Sequence, residues 1–355
     1  MSTTLTPIPV EYKRIVVLGD SLTDGHTYPA LVRQALLDAG YEAPLFINAG
    51  IAGDTAAGML ARLERDVLAY RPTLVTLLAG TNDVNLGFTF EDYRANVTAI
   101  AERLHQEGIP LLVFTTCIIE PDANGRDEKL EEFSAFLRQF AAERGCRLAD
   151  LRKGLCTARD AGVHLMETDT IHPNFTGQSI FARTLLDALG FTEVPLPAKL
   201  VLEEMPGLVK DWQMRAVRED EAPLNAQTMQ AIVPDENWIR YTLPEPKPFT
   251  DSWWFEHERQ RGFALRIEQY VGSARSYLGY ATIDCEQPQA MYLNIGANLT
   301  SAWLNGEQVY KSDGTWRGWH PGKERVAVQF KAGENVLIIE TGNQFFLSLT
   351  ETNDW

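Results

Sequence analysis

The hydrophobic pattern of the chain changes period once, and that change limits it to a small set of architectures. Through its first half, short apolar runs rich in Val, Ile and Leu alternate with longer stretches of helical period. Arg14–Leu18, Leu45–Ile47, Leu74–Leu78 and Leu111–Phe114 read as strands, with Arg147–Ala149 a weaker one. Helices are predicted over Tyr28–Ala39, Ala56–Ala69, Glu91–Gln106, Asp127–Glu143 and Thr176–Leu189. Strands that are apolar on both sides and separated by amphipathic helices need cover on both faces, so this part is predicted to be a doubly wound, parallel α/β sheet.

Beyond it the pattern becomes that of antiparallel strands. Ala264–Tyr270, Ser276–Asp284, Ala290–Ile295, Ser301–Tyr310, Arg325–Phe330, Asn335–Glu340 and Gln344–Leu349 are short and rich in β-branched and aromatic residues. Asn305-Gly306 is a type I′ hairpin signal, and Lys331-Ala332-Gly333-Glu334-Asn335 supplies a further turn. An all-β jelly-roll sandwich is expected. All 8 Trp residues lie at or after Trp212, and Pro195-Leu196-Pro197 and Met205-Pro206-Gly207 punctuate the join. The expected domains are therefore 1–205 and 206–355.

Composition excludes several classes. A chain of 355 residues has no need of disulfide staples or a nucleating metal to build a core. Its cysteines, Cys117, Cys146, Cys156 and Cys285, show no zinc spacing and are expected to be reduced, buried thiols. No apolar run approaches the roughly 20 residues of a membrane span, and the opening residues show no secretory signal, so a cytoplasmic location is expected. A net charge of −16 disfavours nucleic acid and anionic lipid as partners. A homo-oligomer stays open.

In an open parallel sheet, ligands sit beyond the carboxyl ends of the strands. Four segments there carry polar groups that suit one reaction: Gly19-Asp20-Ser21-Leu22, Asn48-Ala49-Gly50-Ile51-Ala52-Gly53-Asp54-Thr55, Gly80-Thr81-Asn82-Asp83 and Asp169-Thr170-Ile171-His172-Pro173-Asn174. A serine hydroxyl becomes a nucleophile when a base takes its proton, and the base works best when a carboxylate fixes its tautomer. Ser21, His172 and Asp169 are candidates for those jobs. Attack on an ester carbonyl creates an oxyanion, for which the Ser21 and Gly53 amides and the Asn82 side chain are candidate donors. Gly53 suits close approach because it has no Cβ. The rate should fall as His172 protonates. No G-x-G-x-x-G follows the first strand and no nucleoside-triphosphate loop occurs. His26 reads as a surface or packing residue, and His105, near a helix end, is given no role.

The four segments resemble the sequence blocks of the SGNH (GDSL) hydrolase superfamily over about residues 10–192. The resemblance implies a flavodoxin-like three-layer α/β/α fold with a five-stranded sheet. It gives Ser21, Gly53, Asn82 and His172 the roles of nucleophile, oxyanion donors and base, with Asp169 completing the triad. It also implies hydrolysis of esters or thioesters without a metal or other cofactor, and leaves the substrate open. The second region resembles the galactose-binding-like jelly-rolls of carbohydrate-active enzymes around Ala302-Trp303-Leu304-Asn305-Gly306. Trp316, Trp319 and His320 cluster in a Gly-rich loop that could offer a sugar an aromatic platform, although large aromatics, Trp253-Trp254 included, more often pack cores. A structural calcium in this region is left open. The function expected is a serine carboxylester hydrolase that removes acetyl or other short acyl groups from a carbohydrate, the partner being a small ester or acylated oligosaccharide. The alternatives are a lysophospholipase or acyl-thioesterase, and a non-catalytic carbohydrate-binding protein.

Overall fold

The computed structural model describes residues 5–202, 204–218, 221, 225, 228–229, 231–250 and 261–352. The chain divides into two compact units, Met1–Val201 with Pro248–His257, and Leu202–Lys247 with Glu258–Trp355. The division comes a few residues before the expected boundary at 206. The return of the chain at Pro248 was not expected at all. It rests on Leu200 and Phe249, which exchange backbone hydrogen bonds of 2.8 and 3.0 Å, a long-range pairing that no local pattern announces.

The first unit is a five-stranded parallel sheet in the order β2-β1-β3-β4-β5. Its elements run β1 (Arg14–Gly19), α1 (Ser21–Asp24), α2 (Thr27–Asp38), β2 (Leu45–Gly50), α3 (Ala56–Ala61), α4 (Leu63–Asp66), β3 (Leu74–Leu78), α5 (Thr81–Asn85), α6 (Phe90–Gln106), β4 (Leu111–Phe114), α7 (Arg126–Arg144), β5 (Arg147–Ala149), α8 (Leu151–Asp160) and α9 (Phe175–Ala188). Alternate residues of the buried strands serve opposite faces. Val16, Leu18, Val75, Leu77 and Val113 pack with Met59, Val97, Ile100, Leu137 and Phe140. On the other face Tyr28 of α2 lies against Phe114 of β4 and Phe181 of α9. The three-layer flavodoxin-like arrangement follows.

Two helical expectations needed correction. The stretch 56–69 is not one helix: it breaks at Arg62, where φ −107° and ψ 8° leave the helical region between α3 and α4. Helix α8 is an addition to the expected elements: it is short and mostly polar, and buries Leu151, Arg152 and Leu155. Of the cysteines, Cys117 and Cys285 are buried and Cys146 and Cys156 are only half-buried.

Strand order reverses between β1 and its two neighbours, the point at which sheets of this topology open a crevice. Gly19 ends β1 in register with Gly50 of β2 and Leu78 of β3, so three strands stop level with one another. The two glycines also let α1 settle on the strand ends. A Cβ on Gly50 would fall 2.4 Å from the Asp24 amide nitrogen, and one on Gly19 would fall 2.2 Å from the Thr23 hydroxyl.

The second unit is antiparallel: β6 (Asp211–Ala216), β7 (Ile239–Thr242), β8 (Ala264–Leu265), α10 (Glu268–Val271), β9 (Tyr277–Cys285), β10 (Gln289–Leu304), β11 (Glu307–Lys311), β12 (Glu324–Phe330) and β13 (Gly333–Thr350). They form one eight-stranded sheet, β11-β10-β13-β9-β6-β7, with β12 on β10 and β8 on β13. Two pairs of expected strands prove to be the long β10 and β13, and the register between these slips around Leu299, where the strands bend. Beyond that slip β10 pairs with β11, and before it with β12, so one strand serves two sets of neighbours. The strand expected over Ala264–Tyr270 shortens to two residues and gives way to α10. Asn305 and Gly306 take φ values of 52° and 84°, as the hairpin signal requires. Trp212 and Trp303 are buried in this unit and Trp316 is 43% exposed, edge-on to Trp319, while His320 is buried. Trp253, Trp254 and His257 lie outside the described residues.

Replacing Gly50 by alanine forces α1 off the strand ends. We expect Gly50→Ala to cost about 1–3 kcal/mol, as overpacking of a filled site does, read as a lower urea midpoint. An unchanged midpoint would show that α1 is not seated as described.

Candidate active site

Ser21 lies two residues beyond the end of β1, after Asp20, and opens the single turn of α1. Asp20 caps that turn, its carboxylate accepting the Leu22 amide at 3.0 Å. Ser21 is half-buried, and its own amide lies in the first turn of a helix, where backbone donors have no helical partner.

His172 arrives from a loop 151 residues away in sequence, between α8 and α9, with its Nε2 2.8 Å from the Ser21 Oγ. Asp169 holds the imidazole at its other nitrogen, Oδ2 to Nδ1 at 2.6 Å. The same carboxylate accepts the amides of Ile171 at 3.0 Å and His172 at 2.9 Å, so it shapes the loop as well as the ring. Between the two residues Thr170 is turned into the left-handed region at φ 66°, unusual for a β-branched side chain. The turn is held by the Thr170 amide donating to the Glu167 carbonyl and by the Glu120 amide donating to the Thr170 carbonyl, both at 3.0 Å. Asn174 then caps α9 by accepting the Gly177 amide at 3.0 Å.

Gly53 and Asn82 meet through Asp54. Gly53 has φ 79°, is exposed, and has open space where a Cβ would project. The Asn82 Nδ2 donates to the Asp54 carbonyl at 3.0 Å and lies 3.4 Å from Asp20 Oδ2. That contact links the residue after Gly53 to the residue before Ser21. Asn48, buried within β2, donates to the Asp24 carbonyl at 2.8 Å and accepts the Gly50 amide at 2.9 Å, which ties the second segment to α1.

All five sequence-predicted residues thus stand at the carboxyl ends of the strands, and three are joined in a chain of hydrogen bonds from Asp169 to Ser21. A sequence model of the GDSL-like lipase/acylhydrolase family matches residues 17–180. The chain is 30% identical over 172 residues to esterase TesA of Pseudomonas aeruginosa, covering 46% of this chain and 81% of that one. The chain belongs to the GDSL-like lipase/acylhydrolase family. It is also 27% identical over 213 residues to an acetylxylan esterase of Geobacillus stearothermophilus, covering 50% of this chain and 94% of the relative. A crystal structure of a catalytic mutant of an acetylxylan esterase from the same organism superposes with a TM-score of 0.48 at 22% identity, over 52% of this chain and 97% of the other.

In this GDSL-family chain the floor of the site is acidic. Burial pushes the Asp20 carboxyl up to about 7, against the Leu22 hydrogen bond, with Asp83 and Asp54 adding to the rise. Burial likewise raises Asp83 to about 6, although its carboxylate accepts the Ala56 amide at 3.1 Å. Asp169 goes the other way: partial burial pushes it up, but the amides of His172 and Ile171 and then the imidazole outweigh that and hold the carboxyl below the usual carboxylate range. The carboxylate beside the histidine stays ionised while the two beneath Ser21 and Asn82 gain protons near neutrality.

Among the described residues no cluster of 3 or more His, Cys, Asp or Glu side chains is arranged to hold a metal ion. Likewise, none of the described helices is long and apolar enough to cross a membrane. His26 is buried and lies edge-on to Phe46, a packing position. Asp20 and Asp83 lie inside the polar segments but have no role in the sequence-based expectation. Their signal was position alone, an acid directly before the serine and directly after the asparagine.

The raised Asp20 makes a pH prediction. A carboxyl whose folded value lies above its unfolded one stabilises the fold at low pH, and that contribution is lost as pH rises from about 4 to about 7. Asp20→Asn, which cannot ionise, should therefore gain on wild type as pH rises. The difference in unfolding free energy between mutant and wild type should shift in favour of the mutant by on the order of 2–3 kcal/mol between pH 5 and pH 8. Parallel pH profiles in urea denaturation would contradict the assignment.

Proposed function

We propose that the protein is a serine carboxylester hydrolase that removes acetyl or another short acyl group from a carbohydrate through an acyl-Ser21 intermediate. The observation that carries this reading is the Asp169–His172–Ser21 chain, 2.6 and 2.8 Å long, beside Asn82 and Gly53. His172 Nε2 takes the Ser21 proton as Oγ attacks the ester carbonyl. The carbonyl π electrons pass to oxygen, and the Ser21 and Gly53 amides with the Asn82 side chain stabilise that oxyanion. Asp169, ionised throughout, steadies the imidazolium without taking its proton. Collapse of the tetrahedral adduct breaks the bond to the alcohol, which leaves with the proton from Nε2. Water then repeats the sequence on the acyl-serine, with His172 again as base, and releases the carboxylic acid and the free serine.

Support for a carbohydrate alcohol comes from the acetylxylan esterase among the relatives and from the exposed indole of Trp316, a surface suited to the apolar face of a sugar ring. A lysophospholipase or acyl-thioesterase draws on a different observation. Leu86 and Phe88, 66% and 42% exposed, follow directly after α5, which carries Asn82, and a long acyl chain needs apolar surface.

Ser21→Ala should lower p-nitrophenyl acetate turnover by at least about 10³-fold. Across a panel of acetylated xylo-oligosaccharides, medium-chain esters, a lysophospholipid and an acyl-thioester, kcat/KM should be highest for the acetylated sugars. Undiminished turnover in Ser21→Ala sinks the hydrolase reading, and a rate that climbs with acyl length replaces the carbohydrate reading with the lipolytic one.

A further inference from the structure

We infer that Arg62 is a positioning residue that holds the oxyanion-binding groups Gly53 and Asn82 in register with the nucleophile Ser21. The inference rests on the ester-hydrolysis reading above and adds a residue to it. Arg62 is 8% exposed, and its guanidinium reaches three separate places. Nη2 donates to the Gly19 carbonyl at 3.1 Å, Nε to Asp54 Oδ2 at 2.7 Å and Nη1 to Asp66 Oδ2 at 3.2 Å. Gly19 ends the strand that delivers Ser21. Asp54 follows Gly53, and its carbonyl receives the Asn82 amide at 3.0 Å. One buried cation is therefore bonded directly to two of the three segments that carry oxyanion donors and, through Asp54, to the third.

The local chain is built around this contact. The helix expected over 56–69 breaks at Arg62, which takes non-helical dihedrals at the junction of α3 and α4. Asp54 is fixed from its other side, Oδ1 accepting the Thr55 amide at 2.9 Å. Its carboxylate lies over Gly58, where a Cβ would come within 1.8 Å of Asp54 Oδ1. A side chain at position 58 would push the carboxylate that Arg62 grips out of its place.

Charge makes the same case. Asp54, Asp66, Asp20 and Asp83 all lie in or beside this cluster. Arg62 is bonded to Asp54 and Asp66, and Arg65 pairs with Asp66 at 2.7 Å. A forming oxyanion adds a negative charge next to Gly53 and Asn82, close to Asp54. Without Arg62 the Asp54 carboxylate has no countercharge in that direction, and it is free to draw the 51–54 turn away from Asn82. A planar guanidinium with diverging donors can span Gly19, Asp54 and Asp66 together, whereas an ammonium cannot.

The test is steady-state kinetics on p-nitrophenyl acetate with the full chain, together with the inhibition constant of phenylboronic acid. That probe forms a tetrahedral adduct on serine and needs the same donors. Arg62→Gln should lower kcat on the order of 10²-fold, a loss typical of displaced catalytic groups, with KM within about 3-fold. It should weaken phenylboronate by a comparable factor. Arg62→Lys, which keeps the charge and loses the fork, should recover only a small part of the activity. Asp54→Asn, which keeps the side-chain shape, should fall in the same direction, while Asp66→Asn, on the far arm, should stay within about 3-fold of wild type. If Arg62→Gln does not fold, Arg62→Lys and Asp54→Asn decide the matter. The inference is overturned by folded Arg62 or Asp54 variants with near-wild-type kcat, by a loss in Asp66→Asn equal to that in Arg62→Gln, or by a fall in kcat with phenylboronate affinity unchanged. A Ser21→Ala control reports on the hydrolase reading separately. Turnover that survives in Ser21→Ala defeats the hydrolase reading, whereas Ser21-dependent turnover and phenylboronate binding that Arg62→Gln leaves unchanged overturn the positioning claim alone.

Discussion

A hydrogen bond of 2.8 Å between side chains 151 residues apart, His172 Nε2 to Ser21 Oγ, is the contact on which the functional account depends. Neither partner can move far without losing it, and each is held by a different device. Ser21 is fixed by the abrupt end of β1, where Gly19 and Gly50 lie in register and α1 packs onto the strand ends. His172 is fixed by a single carboxylate that accepts two backbone amides and the ring nitrogen of its own loop. The parallel sheet supplies a common rim, and the loops place the chemistry on it.

The electrostatics of that rim are divided. Asp169 keeps its charge because its hydrogen bonds outweigh partial burial, so the imidazole always has a counter-ion. Asp20 and Asp83 are more deeply buried, and near neutral pH they carry less negative charge than their number implies. A site that must stabilise an oxyanion benefits from that neutralisation, since charged acids beneath Asn82 would oppose the developing charge. Arg62 contributes to the same end from the side of Asp54.

Much of this was legible in the sequence because strand ends and short polar motifs are local signals. The strands at Leu74–Leu78 and Leu111–Phe114 are continuous apolar runs whose limits need no tertiary information. The four polar segments could be read because the chemistry restricts residue type. What escaped depends on contacts made across the fold. At the break the Arg62 side chain turns inward to the Gly19 carbonyl, 43 residues away, and helical period carries no trace of that contact. The return of the chain at Phe249 to pair with Leu200 is equally non-local. In the second unit the strand residues were recognisable, but that β10 and β13 each run on through a register slip around Leu299 was not, because the slip is set by pairing between strands distant in sequence. Local preference was overridden by pairing with neighbouring strands.

The most direct measurement of the central claim is covalent. A fluorophosphonate should place one phosphonyl group on the Ser21 peptide of the wild-type protein, as seen by intact and peptide mass spectrometry, and the His172→Ala variant should label at a rate lower by on the order of 10³-fold or more. Labelling on another residue, or equal rates in the two proteins, would contradict the account, because the hydrogen bond from His172 would then not be what makes Ser21 reactive.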